Sequence, residues 1–266
     1  ASKYAQVSNY WKYFIGQQRG LKRLKVYDKK KELEDEFMAW VNKDEERKEI
    51  YGEVMNEWQK GFEMNAESIL FRTYFGECIF ASEASLMAYR TSQLYAAMSQ
   101  EEVNQAAIDA AAATMRERGE KFYKDFNLPT DKRVAAKLFE MFYNDVPKGQ
   151  HPKVFTDMVA KSKGDFTKAV EKMYSKSIFT SEEKFNAFLN APSKKVLDKD
   201  AVFQFSTQFV NHYRSVINPM TGDAMNKIEN SNRLFVHGLR EMNSDKNYYP
   251  NANSTMRVTY CLLYTS

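Results

Sequence analysis

The sequence predicts an all-α protein, a domain of many helices followed by one C-terminal β-strand. Glycine and proline are scarce, with 10 and 6 among 266 residues, which favours long helical segments. Apolar residues recur at helical spacing along most of the chain. An apolar content of 43% is enough for a substantial core, in one large domain or two smaller ones.

A first helix is predicted at residues 3–27. At about 100° per residue, one face collects four apolar side chains, which are Val7, Trp11, Phe14 and Leu21. We expect this face to be buried in the core.

Asn9, Gly16 and Gly20 lie nearly opposite that face, with Tyr13 close by. Each glycine inside a helix costs roughly 1 kcal/mol relative to alanine, so a second backbone or a ligand is expected to approach here. On the residues alone, a helix–helix crossing at the glycines with a solvated Asn9 is the simpler interpretation.

Helical patterns continue to residue 242. They are predicted at residues 28–60, 64–98, 99–126, 130–143, 153–161, 165–174, 181–189, 198–217 and 221–242. Capping boxes are expected to begin helices at Ser99 and at Thr180-Ser181, and Thr130 or Asp131 is expected to cap the helix at 130–143. Pro129 and Asn218-Pro219 are expected to stop the helices before them.

Residues 255–260 alternate and are rich in β-formers, which predicts a strand. Because one strand after some 240 helical residues has no partner within the chain, we expect it to pair outside it. The chain starts without methionine and ends directly after this strand. We therefore expect it to be part of a longer polypeptide.

Chemical motifs are sparse. His151, His212 and His237 have no ligand-spaced partner, so we expect no metal and no cofactor. The net charge of +4 and the apolar placement of the aromatic residues near the basic stretch 3–31 argue against nucleic acid. The sequence has no apolar run of the roughly 20 residues that a membrane span needs.

Two longer motifs bracket the chain. The first motif lies in residues 1–24 and consists of Ala-Ser-Lys-Tyr-Ala, Ser-Asn-Tyr-Trp-Lys and Gly-Leu-Lys-Arg-Leu. The second motif consists of Asn-Arg-Leu-Phe at 232–235 and the tyrosine- and asparagine-rich run at 248–260. Together they resemble the bacterial S46 family of serine dipeptidyl-peptidases.

The resemblance implies a chymotrypsin-like double β-barrel that carries a Ser-His-Asp triad, with a helical domain inserted into it as a cap over the cleft. We therefore interpret residues 1–247 as the α-helical cap domain and residues 248–260 as the start of the returning barrel strand. After Val-Thr-Tyr the family continues with a glycine and a polar strand, so we expect residues 261–266 to be a non-native end. The triad is expected outside the chain, which has no catalytic residue of its own.

In that family an asparagine of the helical domain helps to bind the free amino group of the peptide, and Asn9 is the matching position. The implied partners are peptides with a free N-terminus and the catalytic barrel of the same polypeptide; we also consider a homodimer. The resemblance implies a periplasmic location.

A second hypothesis is a non-enzymatic helical binding or scaffold module. It would use the basic first helix and its exit to bind an acidic partner.

Overall fold

The structure, a computed structural model, describes residues 2–102 and 104–247. They form helices throughout and contain no strand, which confirms the all-α prediction. The predicted strand at 255–260 lies outside the described residues, as do the proposed segments 248–260 and 261–266. The helices are α1 Ser2–Arg23, α2 Val26–Val41, α3 Glu45–Tyr51, α4 Val54–Tyr74, α5 Glu83–Arg90, α6 Ser92–Ala97, α7 Gln105–Asp125, α8 Leu128–Asp145, α9 Lys153–Lys161, α10 Phe166–Ser175, α11 Glu182–Asn190, α12 Lys194–Lys199, α13 Ala201–His212 and α14 Asn218–Met242.

Four shorter helical turns complete the described chain. The turns Phe75–Ile79 and Tyr213–Ile217 are π-helical, and Lys148–Gln150 and Ile178–Thr180 are 3₁₀-helical. The chain divides into two compact units. The first unit holds residues up to Gln59 and from Lys227 onward, and the second holds Lys60–Asn226.

The second unit is organised around buried aromatic rings. Phe142 packs edge-on against Phe71, Phe155 and Phe209 at centroid distances of 4.9–5.6 Å, and all four side chains are fully buried. These residues come from α4, α8, α9 and α13. Burying large rings from four helices in one cluster is what holds this unit together.

The first unit has a smaller core at the junction of α2, α3, α4 and α14. Its buried members are Phe37, Val41, Tyr51, Val54 and Phe235. The Phe37 ring approaches α14 where that helix has a glycine. A Cβ atom at Gly238 would lie 2.6 Å from Cε2 of Phe37.

Gly238→Ala is therefore expected to destabilise the first unit. Phe37 is held by Trp40, Tyr51 and Phe235, so its ring cannot simply move away, and overpacking costs about 1–3 kcal/mol. The matched control is Gly222→Ala in the same helix, where a Cβ meets nothing within 4 Å and a gain of about 1 kcal/mol is expected. Urea unfolding of both variants checks this, and a Gly238→Ala variant as stable as wild type contradicts it.

The expectation that α1 has a buried apolar face is wrong. Val7, Trp11 and Phe14 are 57%, 65% and 58% exposed, and Leu21 is also exposed. Helix α1 packs mainly against α2 and adds no residue to the core of the first unit. An apolar stripe is buried only where another surface covers it, and no described helix does so here.

Several predicted helices are interrupted. The first ends at Arg23, before Lys25 adopts a left-handed backbone with φ of 50°. The segment 28–60 forms α2, α3 and the start of α4, because Asp44 caps a new helix by accepting from the Arg47 amide. The segment 64–98 is divided by a π-helical turn and by the cap at Ser82.

Two predicted caps are wrong. The Ser99 hydroxyl donates to the carbonyl of Tyr95 at 2.8 Å, so it closes α6, and Asn104 caps α7. Helix α8 is capped by Asn127, with Pro129 in its first turn, where a proline is tolerated because no amide hydrogen is needed there. Neither Thr130 nor Asp131 is its cap.

Other boundaries follow the sequence more closely. Ser181 caps α11, as predicted, and Asp200 rather than Asp198 caps α13. Asn218-Pro219 does not end a helix, because the chain passes from the π-helical turn Tyr213–Ile217 directly into α14.

Candidate functional site: the exposed surface of the first helix

The polar ridge of α1 is formed by Asn9, Tyr13, Gly16, Gln17 and Gly20, which follow one another at helical spacing. The Asn9 side chain is exposed, and within the described residues it makes no hydrogen bond. The Gln17 amide donates to the Tyr13 hydroxyl at 2.7 Å. The ridge therefore presents an amide whose carbonyl oxygen and NH₂ group are available to a ligand.

The glycines leave open space on this ridge. A Cβ at Gly16 or Gly20 would meet nothing within 4 Å. The close helix–helix crossing expected at these glycines is thus absent from the part of the chain that the structure describes. The two glycines leave a smooth strip of backbone beside Tyr13, and Asn9 lies one turn N-terminal to Tyr13.

The charge around this ridge is positive. Helix α1 contains no acidic residue, and Lys12, Arg19 and Arg23 are exposed beside the ridge. Asn9 could accept a hydrogen bond from an ammonium group, but α1 has no carboxylate to balance that charge. A counter-charge for a bound amine must therefore come from outside this helix.

All three histidines have structural partners. His151 donates from Nε2 to the carbonyl of Val146 at 2.9 Å, and His212 donates to the carbonyl of Gln150 at 2.8 Å. Burial lowers the pKa of both imidazoles. Neither ring is bonded to a serine or cysteine side chain, as a nucleophile–base pair would require.

These two histidines should make the second unit sensitive to acid. Because burial lowers their pKa below the ordinary 6.5, the unfolded chain takes up protons first. The free energy of unfolding is expected to fall as the pH drops through 6.5, by at most about 1.4 kcal/mol per pH unit for each histidine. Urea unfolding at pH 7.5 and 5.5 measures this, and His212→Gln should show a weaker dependence; an unchanged dependence contradicts the assignment.

His237 belongs to a cluster in the first unit. The Tyr51 hydroxyl lies 2.6 Å from Nδ1 of His237 and donates to Oε2 of Glu241 at 2.8 Å. Because the single tyrosine proton goes to the carboxylate, Nδ1 must be the donor toward Tyr51. Burial and Glu241 raise the pKa of Tyr51 to about 12, so this phenol is no nucleophile at neutral pH. The cluster joins α3 to α14.

Cys78, the free cysteine of the described residues, is not activated as a nucleophile. Burial raises the pKa of the Cys78 thiol to about 11, which keeps it protonated. In residues 2–102 and 104–247, no three carboxylate, histidine or cysteine side chains are grouped to hold a metal ion. No described helix is long and apolar enough to span a bilayer.

Comparison with known proteins identifies the family to which the chain belongs. The model of the Peptidase S46 family matches residues 1–262. The chain belongs to the Peptidase S46 family. It is 31% identical to dipeptidyl-peptidase 7 of Porphyromonas gingivalis and 28% identical to an Asp/Glu-specific dipeptidyl-peptidase of Flavobacterium psychrophilum. Each match covers 98% of this chain and 36% of the relative, so the chain spans about a third of the length of these relatives.

Solved structures agree on the fold. The crystal structure of Porphyromonas endodontalis DPP11 with the dipeptide Arg-Glu aligns with a TM-score of 0.64 at 21% identity. The alignment covers 88% of this chain and 33% of that one. The structure of the same peptidase in complex with substrate gives a TM-score of 0.62. The helical fold described above is thus shared with about a third of the DPP11 chain.

Proposed function

We propose that the protein containing this chain is a serine-type dipeptidyl-peptidase that releases dipeptides from free peptide N-termini. The observation that carries the proposal is the Peptidase S46 match over residues 1–262, together with relatives that are named dipeptidyl-peptidases. Each histidine of the described residues is hydrogen-bonded to a structural partner, which supports a catalytic triad that lies elsewhere in the polypeptide. The serine, histidine and aspartate of the reaction are then supplied outside this chain.

In this proposal the helical chain caps the cleft and Asn9 accepts a hydrogen bond from the ammonium group of the substrate. The exposed amide on a ridge without Cβ atoms at Gly16 and Gly20 supports this role. Holding the ammonium group about two residues from the attacked bond would restrict cleavage to the second peptide bond, so that dipeptides are released. The exposed apolar face of α1 would then be covered by the catalytic barrel of the same polypeptide. We propose a periplasmic location for the enzyme, which the resemblance to the S46 family implies.

The test uses the whole protein encoded by the gene. Peptides with a free N-terminus should lose dipeptides, and N-acetylated copies should be resistant. A panel with Asp, Glu or an apolar residue at the second position assigns the preference. The 266-residue chain alone should not hydrolyse them. Hydrolysis by this chain alone, or release of single residues by the whole protein, contradicts the proposal.

One observation favours the second candidate function, binding of an acidic partner. Lys12, Arg19 and Arg23 are exposed and form no ion pair with a described carboxylate. Salt-sensitive binding of the 266-residue chain to an acidic protein, with no peptidase activity in the whole protein, would favour that function.

A further inference from the structure

A groove in the second unit lies between α9, α10 and α13 and has a volume of about 370 Å³. Its floor is apolar. Ala169, Met173 and Phe205 are buried there, and Val154 and Met158 are partly buried beside them. A groove of this size and lining has the properties of a small-molecule site.

Three lysines stand on the rim of this groove, Lys161 at the end of α9, Lys172 on α10 and Lys176 directly after α10. All three are exposed, and none forms an ion pair with a carboxylate in the described part of the chain. Lys172 lies in the last turn of α10 and Lys176 directly follows its last residue, so both line the groove at the C-terminal end of that helix.

The only acidic residue lining the groove is Asp157. Lys153 neutralises it, with both carboxylate oxygens within 2.8 Å of the Lys153 ammonium group. Lys161 adds a smaller electrostatic attraction to the same carboxylate. The charge that faces a ligand is therefore that of the lysines.

The combination selects one class of ligand. An apolar floor makes few favourable contacts with an inorganic anion, and a rim of ammonium groups disfavours the binding of a cation. A folded protein partner would need a far larger surface than this groove offers. From this geometry we propose that the groove binds an amphipathic carboxylate, a fatty acid of medium chain length, with its chain on Met173 and Phe205 and its head group among Lys161, Lys172 and Lys176.

The first test is titration of the 266-residue chain with sodium decanoate below its micelle concentration. Saturable binding at one site is expected, together with weaker binding of decyltrimethylammonium, which has the same chain and the opposite charge. Decyl sulfate tests the head group. If decyl sulfate binds more tightly than decanoate, the groove is a site for sulfate-type anions and the carboxylate assignment is wrong. Equal binding of the cation, or no saturable binding of decanoate, overturns the proposal.

Two further measurements locate the ligand. The double variant Lys172→Gln with Lys176→Gln should bind decanoate about tenfold more weakly, since each exposed ammonium group contributes roughly threefold to the affinity. The matched control, Lys184→Gln with Lys199→Gln, removes the same charge from exposed helical positions outside the groove and should bind as wild type. In spectra of methyl-labelled methionine, decanoate should shift Met158 and Met173. Equal losses in both double variants, or binding without those shifts, overturns the assignment.

Discussion

Replacing Asp131 by alanine is expected to lower the free energy of unfolding by about 3–5 kcal/mol, because several buried donors lose their acceptor at roughly 1–3 kcal/mol each. Asp131 is only 4% exposed. Its carboxylate accepts from the amides of Glu83 and Ala84 at 2.8 and 3.2 Å and from the Tyr174 hydroxyl at 2.7 Å. It thus binds the N-terminus of α5 from a distant helix, where the helix dipole also favours a negative charge.

The variant series separates charge from shape. Asp131→Asn keeps the shape but directs an NH₂ group at donors, so an intermediate loss is expected. Asp125→Ala, an exposed aspartate on α7, should stay within about 0.5 kcal/mol of wild type. Tyr174→Phe, alone and combined with Asp131→Ala, should reveal coupling between the two side chains. An Asp131→Ala protein within about 1 kcal/mol of wild type would refute the structural role of this carboxylate.

The role of Asp131 shows where sequence reasoning stops. Helix type is a local property, so apolar spacing predicted helices along the chain, and the Ser181 cap followed from its own neighbours. Asp131 stands where a cap for its own helix was expected, but its bonds reach residues 83 and 84, some 48 positions earlier. Such a partnership depends on how α5, α8 and α10 pack, which no local pattern encodes.

The first helix illustrates the opposite error. Its apolar stripe predicted a buried face, but these side chains are exposed in the described residues, because periodicity does not say whether another surface covers that face. The polar ridge was recognisable by spacing alone, whereas Asn9 became a ligand candidate only through resemblance to a family. The groove between α9, α10 and α13 left one weak sign in the sequence, the lysines at 172 and 176.

Asn9→Ala in the whole protein is expected to lower kcat/KM for peptides with a free N-terminus by about 10–150-fold. The range corresponds to losing one hydrogen bond to a charged group, about 1.5–3 kcal/mol. Because α1 has no carboxylate, Asn9 would orient the ammonium group and a counter-charge elsewhere would hold it. Asn9→Asp retains an oxygen acceptor at this position, so a smaller loss is expected.

The control for Asn9 is Asn226→Ala, an exposed side chain on α14, which removes the same amide from a helical position outside α1. If the amide binds the amino group equally in the ground and transition states, the loss appears mainly in KM. A purely structural effect would instead lower the melting temperature of the variant. Unchanged kcat/KM in Asn9→Ala would remove this residue from the site, and equal losses in Asn9→Ala and Asn226→Ala would attribute the effect to a general loss of helix stability rather than to the ammonium contact.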